Sequence, residues 1–204
     1  MYLVNPQFLK QLPGRKSDVR DAEWIATSLL KELVRNSFVP DGKIQQLRGY
    51  GRRIHELNRD MVRCNQRIDM IMQGCNIRFS NYVANTNSKS YMKVVEAIIG
   101  GQTNPEALVK LVHARTLNAH GRQVIRDSLE GNVGTGDMEL LGQYTRLLAI
   151  YREQKQQCLD NMVALCRKNH DREFQILQTI PGIREQSAAI IISEIGDERK
   201  LIYS

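Results

Sequence analysis

The sequence predicts a mainly α protein built on long paired helices. Three observations carry this. An apolar series repeats every three and four residues along the first half of the chain. A second, weaker series repeats the pattern later. Strand-like alternation is nearly absent throughout. The 204 residues suffice for one or two domains with a real core. With 42% apolar and 25% charged residues, the composition is that of an ordered chain. The net charge of +7 favours an anionic partner, with nucleic acid ahead of a membrane surface.

At the N-terminus, residues 2–4 read as the end of a strand that turns at Asn5-Pro6. LPGRKSD is a loop, and a helix runs from about Ser17 to about Val34. NSFVPDG, residues 36–42, breaks it. Then comes the clearest signal. Leu47, Tyr50, Ile54, Leu57, Met61, Cys64, Ile68, Ile71 and Cys75 alternate spacings of three and four without a break. Such a seam marks a helix packed along a partner. Leu141, Tyr144, Leu148, Tyr151, Lys155, Cys158, Met162 and Leu165 form the second series, in which Lys155 alone is polar. Two helices of roughly 45 Å each would pair as an antiparallel coiled coil, either as an internal hairpin or between chains. Residues 80–135 would form a helical tip. Within it, Asn104-Pro105-Glu106 is a helix start, and GNVGTGD at 131–137 is a flexible turn. The GxxGxG spacing there follows no strand and is not read as a phosphate loop.

Outside the seam the first long helix carries Arg48, Arg52, Arg53, His55, Arg59, Arg63 and Arg67. One reading is a solvated face. The other is a stripe facing backbone phosphates, with Arg52, Arg59 and Arg63 as its principal contacts. Near the C-terminus, FQILQTIPGIREQSAAIIISEIGDE places a tight Pro181-Gly182 turn between two helices. Gly182, Ile183 and Arg184 there fit a helix-hairpin-helix, whose backbone N–H groups and helix start attract phosphate. A plain αα-hairpin fits the spacing equally. Arg184 stands where such a motif usually has a second glycine.

Cys64, Cys75, Cys158 and Cys166 form no CxxC pair and read as reduced core thiols. His55, His113, His120 and His170 share no metal spacing. The longest apolar run, AAIII at 188–192, is too short to cross a bilayer, and no signal peptide opens the chain.

Asp18 and Asp21, in KSDVRDAEWIA, sit three apart at a predicted helix start. Capping and the helix dipole account for them at ~0.5–2 kcal/mol together. The same spacing turns both carboxylates to one helix face, where they are able to meet one cation.

KSDVRDAEWIATSL resembles the K-[ST]-D-x-x-D-A-x-x-[IL]-A segment of the DEDD-type insertion-sequence transposases, the bridge-RNA-guided recombinases of bacterial and archaeal mobile elements. LQTIPGIREQSAAIIISEIGDE resembles the start of their C-terminal domain. VNPQ and IIGGQTNPEALVKLV fit in the same order. The resemblance implies three parts: residues 1–38 as the end of an RNase-H-like (RuvC-like) α/β domain, 39–172 as a coiled-coil domain, and 173–204 as the start of the serine-containing domain. It implies that Asp18 and Asp21 are two of four acidic residues around Mg²⁺. It further implies serine attack on DNA with a transient 5′-phosphoserine link, assisted by that acidic site.

The first acidic residue and the glutamate of the family pattern fall upstream of this chain, and its serine falls beyond the Ile195-Gly196-Asp197 segment. Ser187, Ser193 and Ser204 do not match the serine. The chain is therefore expected to be an internal fragment, inactive alone. Its expected partners are DNA, a structured guide RNA and further copies of itself, in the bacterial or archaeal cytoplasm and without a membrane. Trp24 and Ile25 are expected in a core. The alternative reading is a non-catalytic coiled-coil oligomerisation module with a basic surface.

Overall fold

The computed structural model describes residues 18–31, 33 and 40–196, and only the backbone of 18–21. The strand expected at 2–4, the turn at Asn5-Pro6 and Ser204 lie outside the described residues. Among the described residues there is no strand.

Helix α1, Asp18–Leu30, is shorter than the expected span. Its apolar side chains are not core: Ile25 is 38% exposed and Leu30 85%. That corrects the expectation for Ile25, while Trp24 is half-buried.

Helix α2, Gly42–Gly74, starts where Asp41 caps it, its carboxylate accepting the Ile44 N–H at 2.8 Å. Helix α7, Thr135–Asn169, is its partner. At 33 and 35 residues the two span about 50 Å each. They pack antiparallel. Ile44, Leu47 and Ile54 at the start of α2 share a core with Leu159, Met162 and Cys166 at the end of α7. Cys64, Ile68 and Met72 share another with Leu141 and Leu148. The seam thus closes within one chain. Its predicted positions are buried or half-buried along the whole of α2.

The tip is a small helical cap on the second core. It holds α3 (Lys89–Ile99), α4 (Pro105–Leu108), α5 (Ala114–His120) and α6 (Arg122–Ser128), with 3₁₀ turns at Phe79–Tyr82 and Val109–Leu111. Ser88 caps α3, and Asn104 caps α4 by accepting the Glu106 N–H at 2.9 Å, with Pro105 in its first turn. Tyr91, Val94, Val95 and Ile98 bury the inner face of α3, and Phe79 stacks on Tyr91 with ring centroids 6.1 Å apart. Two strands of chain are stitched by Arg78 N–H to Ser128 O (2.8 Å) and Asn132 N–H to Cys75 O (3.0 Å). A Cβ at Gly131 would lie 2.2 Å from that Cys75 oxygen, so only glycine fits the crossing. GNVGTGD is not all turn. Helix α7 already starts at Thr135, and Asp137 reaches back to accept the Gly134 N–H at 3.0 Å.

At the opposite end, α8 (Asp171–Gln178) and α9 (Glu185–Ile195) fold back on the hairpin. Phe174, Ala188, Ala189 and Ile192 complete the first core. Small residues let α9 approach α2 closely: a Cβ on Gly51 would stand 3.6 Å from Ser193 Oγ. Cys64, Cys75, Cys158 and Cys166 are all free thiols, three of them buried. No helix among the described residues is long and apolar enough to cross a membrane.

Candidate nucleic-acid interface

The arginines of α2 divide by neighbour. Arg48 turns inward to α9, donating from Nε to the carbonyl of Ser193 and from a terminal nitrogen to that of Glu194, both at 2.9 Å. This corrects its grouping with the phosphate-facing stripe. Carbonyls at a helix C-terminus lack partners within the helix and carry partial negative charge, so a guanidinium satisfies both needs. Arg53 is held by Glu56 at 3.4 Å and by Gln154 at 3.0 Å across the hairpin.

Arg52 and Arg59 are exposed, with no hydrogen bond or ion pair among the described residues, and Arg63 meets only Asp60, one turn away, at 3.2 Å. Positions 52, 55, 59 and 63 follow one face of α2. They line two adjoining grooves of about 520 and 320 Å³, the first between α2 and Ile190 of α9, the second around Asn58, Val62 and Arg63. Glu56 and Glu194 border the first groove; no carboxylate lines the second. Val62, apolar and 55% exposed, interrupts the charged face.

The hairpin turn lies close by. Arg184 takes the N-cap position of α9 in extended backbone, and Gly182 has φ of +91°. No atom lies within 4 Å of a Cβ built on Gly182, so its conformation requires glycine here, and crowding does not. Gly182, Ile183 and Arg184 line a cleft of about 630 Å³ that continues to Gln186. Gln186, Ile190 and Glu194 share one face of α9, spaced by four. The turn cleft and the arginine groove therefore adjoin along a single helix. Within this cleft Glu185 is engaged by Arg167. Ser193 is fully buried, its hydroxyl donating to Ile190 O at 2.7 Å.

Asp18 and Asp21 fall within the backbone of α1, three positions apart, and their side chains lie outside the described residues. Carboxylates suit a hard cation such as Mg²⁺, yet two leave most of an octahedral shell to other ligands. Among the described residues no group of three or more His, Cys, Asp and Glu is placed to hold a metal.

Sequence reasoning missed a further feature, a polar cleft at mid-hairpin around Lys155 and Asn65. Its signal was present in the lone polar residue of the second seam.

No curated protein and no solved structure matches the chain. Residues 1–77 match the family model of the DEDD transposases, described as a transposase, which takes in α1 and all of α2. The similarity to the DEDD transposase family therefore rests on residues 1–77.

Proposed function

We propose that this chain is the helical nucleic-acid-binding part of a DNA transposase, gripping backbone phosphates through one face of α2. The observation that carries the reading is the pair Arg52 and Arg59, exposed and unpaired on a groove that Arg63 extends. Arg53 and Arg63 each pair with a carboxylate one turn away, whereas among the described residues Arg52 and Arg59 do not. A guanidinium without one is available for a phosphate. Gly182, Ile183 and Arg184 add a second phosphate contact, as a helix-hairpin-helix, at the start of α9. The α2–α7 pair acts as a coiled-coil arm holding the two contacts at fixed spacing. A structured guide RNA would present the same phosphates as DNA to this face.

In this reading Asp18 and Asp21 contribute two carboxylates of a four-residue acidic site. Mg²⁺ bound there would offset phosphate charge when the remaining ligands are supplied. The nucleophilic serine is not assigned to any residue of this chain, and the chain alone is expected to be inactive.

The test is duplex DNA affinity in Arg59→Glu and Arg63→Glu. Each substitution should weaken binding alike for all sequences, because phosphate contacts carry no base information. Unchanged affinity in both would leave a solvated face.

One observation favours a second reading, the non-catalytic oligomerisation module. The seam is used up within the chain, but Leu140, Leu147 and Ile150 are exposed on the outer side of α7 at heptad spacing, 44%, 39% and 46% respectively. Copies pairing there would form a homo-oligomer without opening the hairpin. Sedimentation of Leu147→Glu against the parent chain separates the two: a self-associating parent made monomeric by the change supports this module.

A further inference from the structure

The paired helices do not form one continuous core. Along α7, Leu148 is buried and the next fully buried residue is Leu159. The two cores part across this interval. A cleft of about 540 Å³ opens there between α2, α7 and the segment 85–87. Asn58, Asn65, Gln66, Asn85 and Asn87 supply amides, Arg152 and Lys155 supply positive charge, and no carboxylate lines it.

Two groups in the cleft lack what burial normally demands. Lys155 is half-buried, with no hydrogen bond or ion pair among the described residues. Asn65 Oδ1 is buried without a hydrogen-bond partner. A cation withdrawn from water without a counter-charge is costly, and so is an orphaned amide oxygen. The Lys155 charge is met by an anionic ligand, and the other amides lining the cleft offer donors and acceptors to its far end; Asn65 Oδ1 itself is closed to solvent. Arg152 donates to Asn87 Oδ1, which ties the segment 85–87 to α7 and forms the far wall.

We propose that this cleft receives one unstacked nucleotide of a single-stranded nucleic acid, its phosphate at Lys155 and its base edge among the amides. Asparagine and glutamine present a donor and an acceptor side by side, which is what a base edge offers in return. The volume is that of a small-ligand pocket. A base within a duplex cannot enter such a concavity, whereas an extruded or single-stranded base can. Asn58 and Val62 also line the groove at Arg59 and Arg63, so a strand on that face runs directly into the cleft. The inference rests on the phosphate-gripping reading of α2. The competing account makes Lys155 a seam residue that fixes helix register and nothing more.

The experiment is fluorescence anisotropy on the full chain with labelled oligothymidine, oligouridine and duplex DNA, each about 15 nucleotides long to span a site. Lys155→Leu and Arg152→Gln are compared with the parent. Single-strand affinity should fall about tenfold in each, as expected for losing a charged phosphate contact at Lys155 or the wall that Arg152 holds, while duplex affinity stays within about twofold. Loss on oligothymidine assigns the cleft to DNA, and loss on oligouridine assigns it to RNA. Single-strand affinity unchanged in both variants overturns the proposal, as does an equal fall on duplex. If Lys155 only sets register, Lys155→Leu raises the melting temperature and leaves binding of all three probes unaffected. Arg152 is exposed, so Arg152→Gln keeps the test open if Lys155→Leu disturbs the hairpin. Arg59→Glu separates the two readings: it must lower binding of all three probes, and if it lowers none, the α2 stripe fails independently of the cleft.

Discussion

Arg48 Nε donates to the backbone carbonyl of Ser193 at 2.9 Å, joining the first turns of α2 to the last turn of α9. With the companion bond to Glu194 O, it closes a C-terminus that Gly196 then leaves at φ of +69°. Arg48→Ala should therefore destabilise the chain by about 1–3 kcal/mol, since charge-assisted bonds are lost and carbonyls are orphaned. Duplex DNA affinity should be nearly unchanged. Urea unfolding and a DNA titration on the same variant check both halves; a large loss of affinity with intact stability would return Arg48 to the phosphate-facing stripe.

Two glycines should respond differently to alanine. Gly182→Ala adds a Cβ into open space but at φ of +91°, costing about 1–2 kcal/mol of backbone strain. Gly131→Ala drives a Cβ against the Cys75 carbonyl at 2.2 Å and Ile77 Cγ1 at 2.6 Å. Overpacking of this kind costs about 1–3 kcal/mol or more, because backbone must move. Thermal melts should rank Gly131→Ala below Gly182→Ala; the reverse order would contradict the crossing at Cys75.

Alkaline pH should loosen both ends of the hairpin, through Cys166 in the first core and Tyr91 in the tip. Burial, followed by the hydrogen bond to Asp69 at 2.8 Å, pushes the Tyr91 phenol well above its ordinary value of 10.0. Burial pushes the Cys166 thiol up to about 11 from 9.0. A group whose folded pKa is raised keeps its full stability below the unfolded pKa and loses it as pH climbs toward the folded one. Cys166 therefore acts between pH 9.0 and about 11, and Tyr91 from pH 10.0 upward. Chemical denaturation at pH 8 and above should show stability falling, with Tyr91→Phe removing part of the slope above pH 10.0. An identical slope in Tyr91→Phe would contradict this.

Asp18 and Asp21 are expected to support no metal-dependent cleavage in this chain alone, since two carboxylates hold Mg²⁺ poorly. Incubation of labelled duplex with Mg²⁺ should leave it intact. Cleavage that Asp21→Asn abolishes would sink the idea that further ligands are needed.

The hairpin was legible because a seam has a period, and apolar residues at three-and-four spacing must bury one face. The starts of α4 and α9 were legible because Asn104 and the Pro181-Gly182 turn carry local chemistry. What escaped depends on distant chain. Arg48 and Arg52 look alike in sequence, and only α9, 145 residues away from Arg48, distinguishes them. The start of α7 at Thr135 hides within a glycine-rich stretch that a carboxylate at Asp137 organises. Ile25 fits a core pattern, yet its face is exposed among the described residues. The cleft at Lys155 was visible only as a flaw in the second seam.

The central claim is that the open face of α2 grips phosphates, and salt dependence tests it most directly. Duplex affinity measured from low to high salt should fall linearly on logarithmic axes, with a slope near −0.9 for each phosphate neutralised. The combined change Arg52→Gln, Arg59→Gln and Arg63→Gln should make that slope shallower by about 2–3. A parent chain whose affinity stays flat across the salt range, or a triple variant with an unchanged slope, would contradict the account.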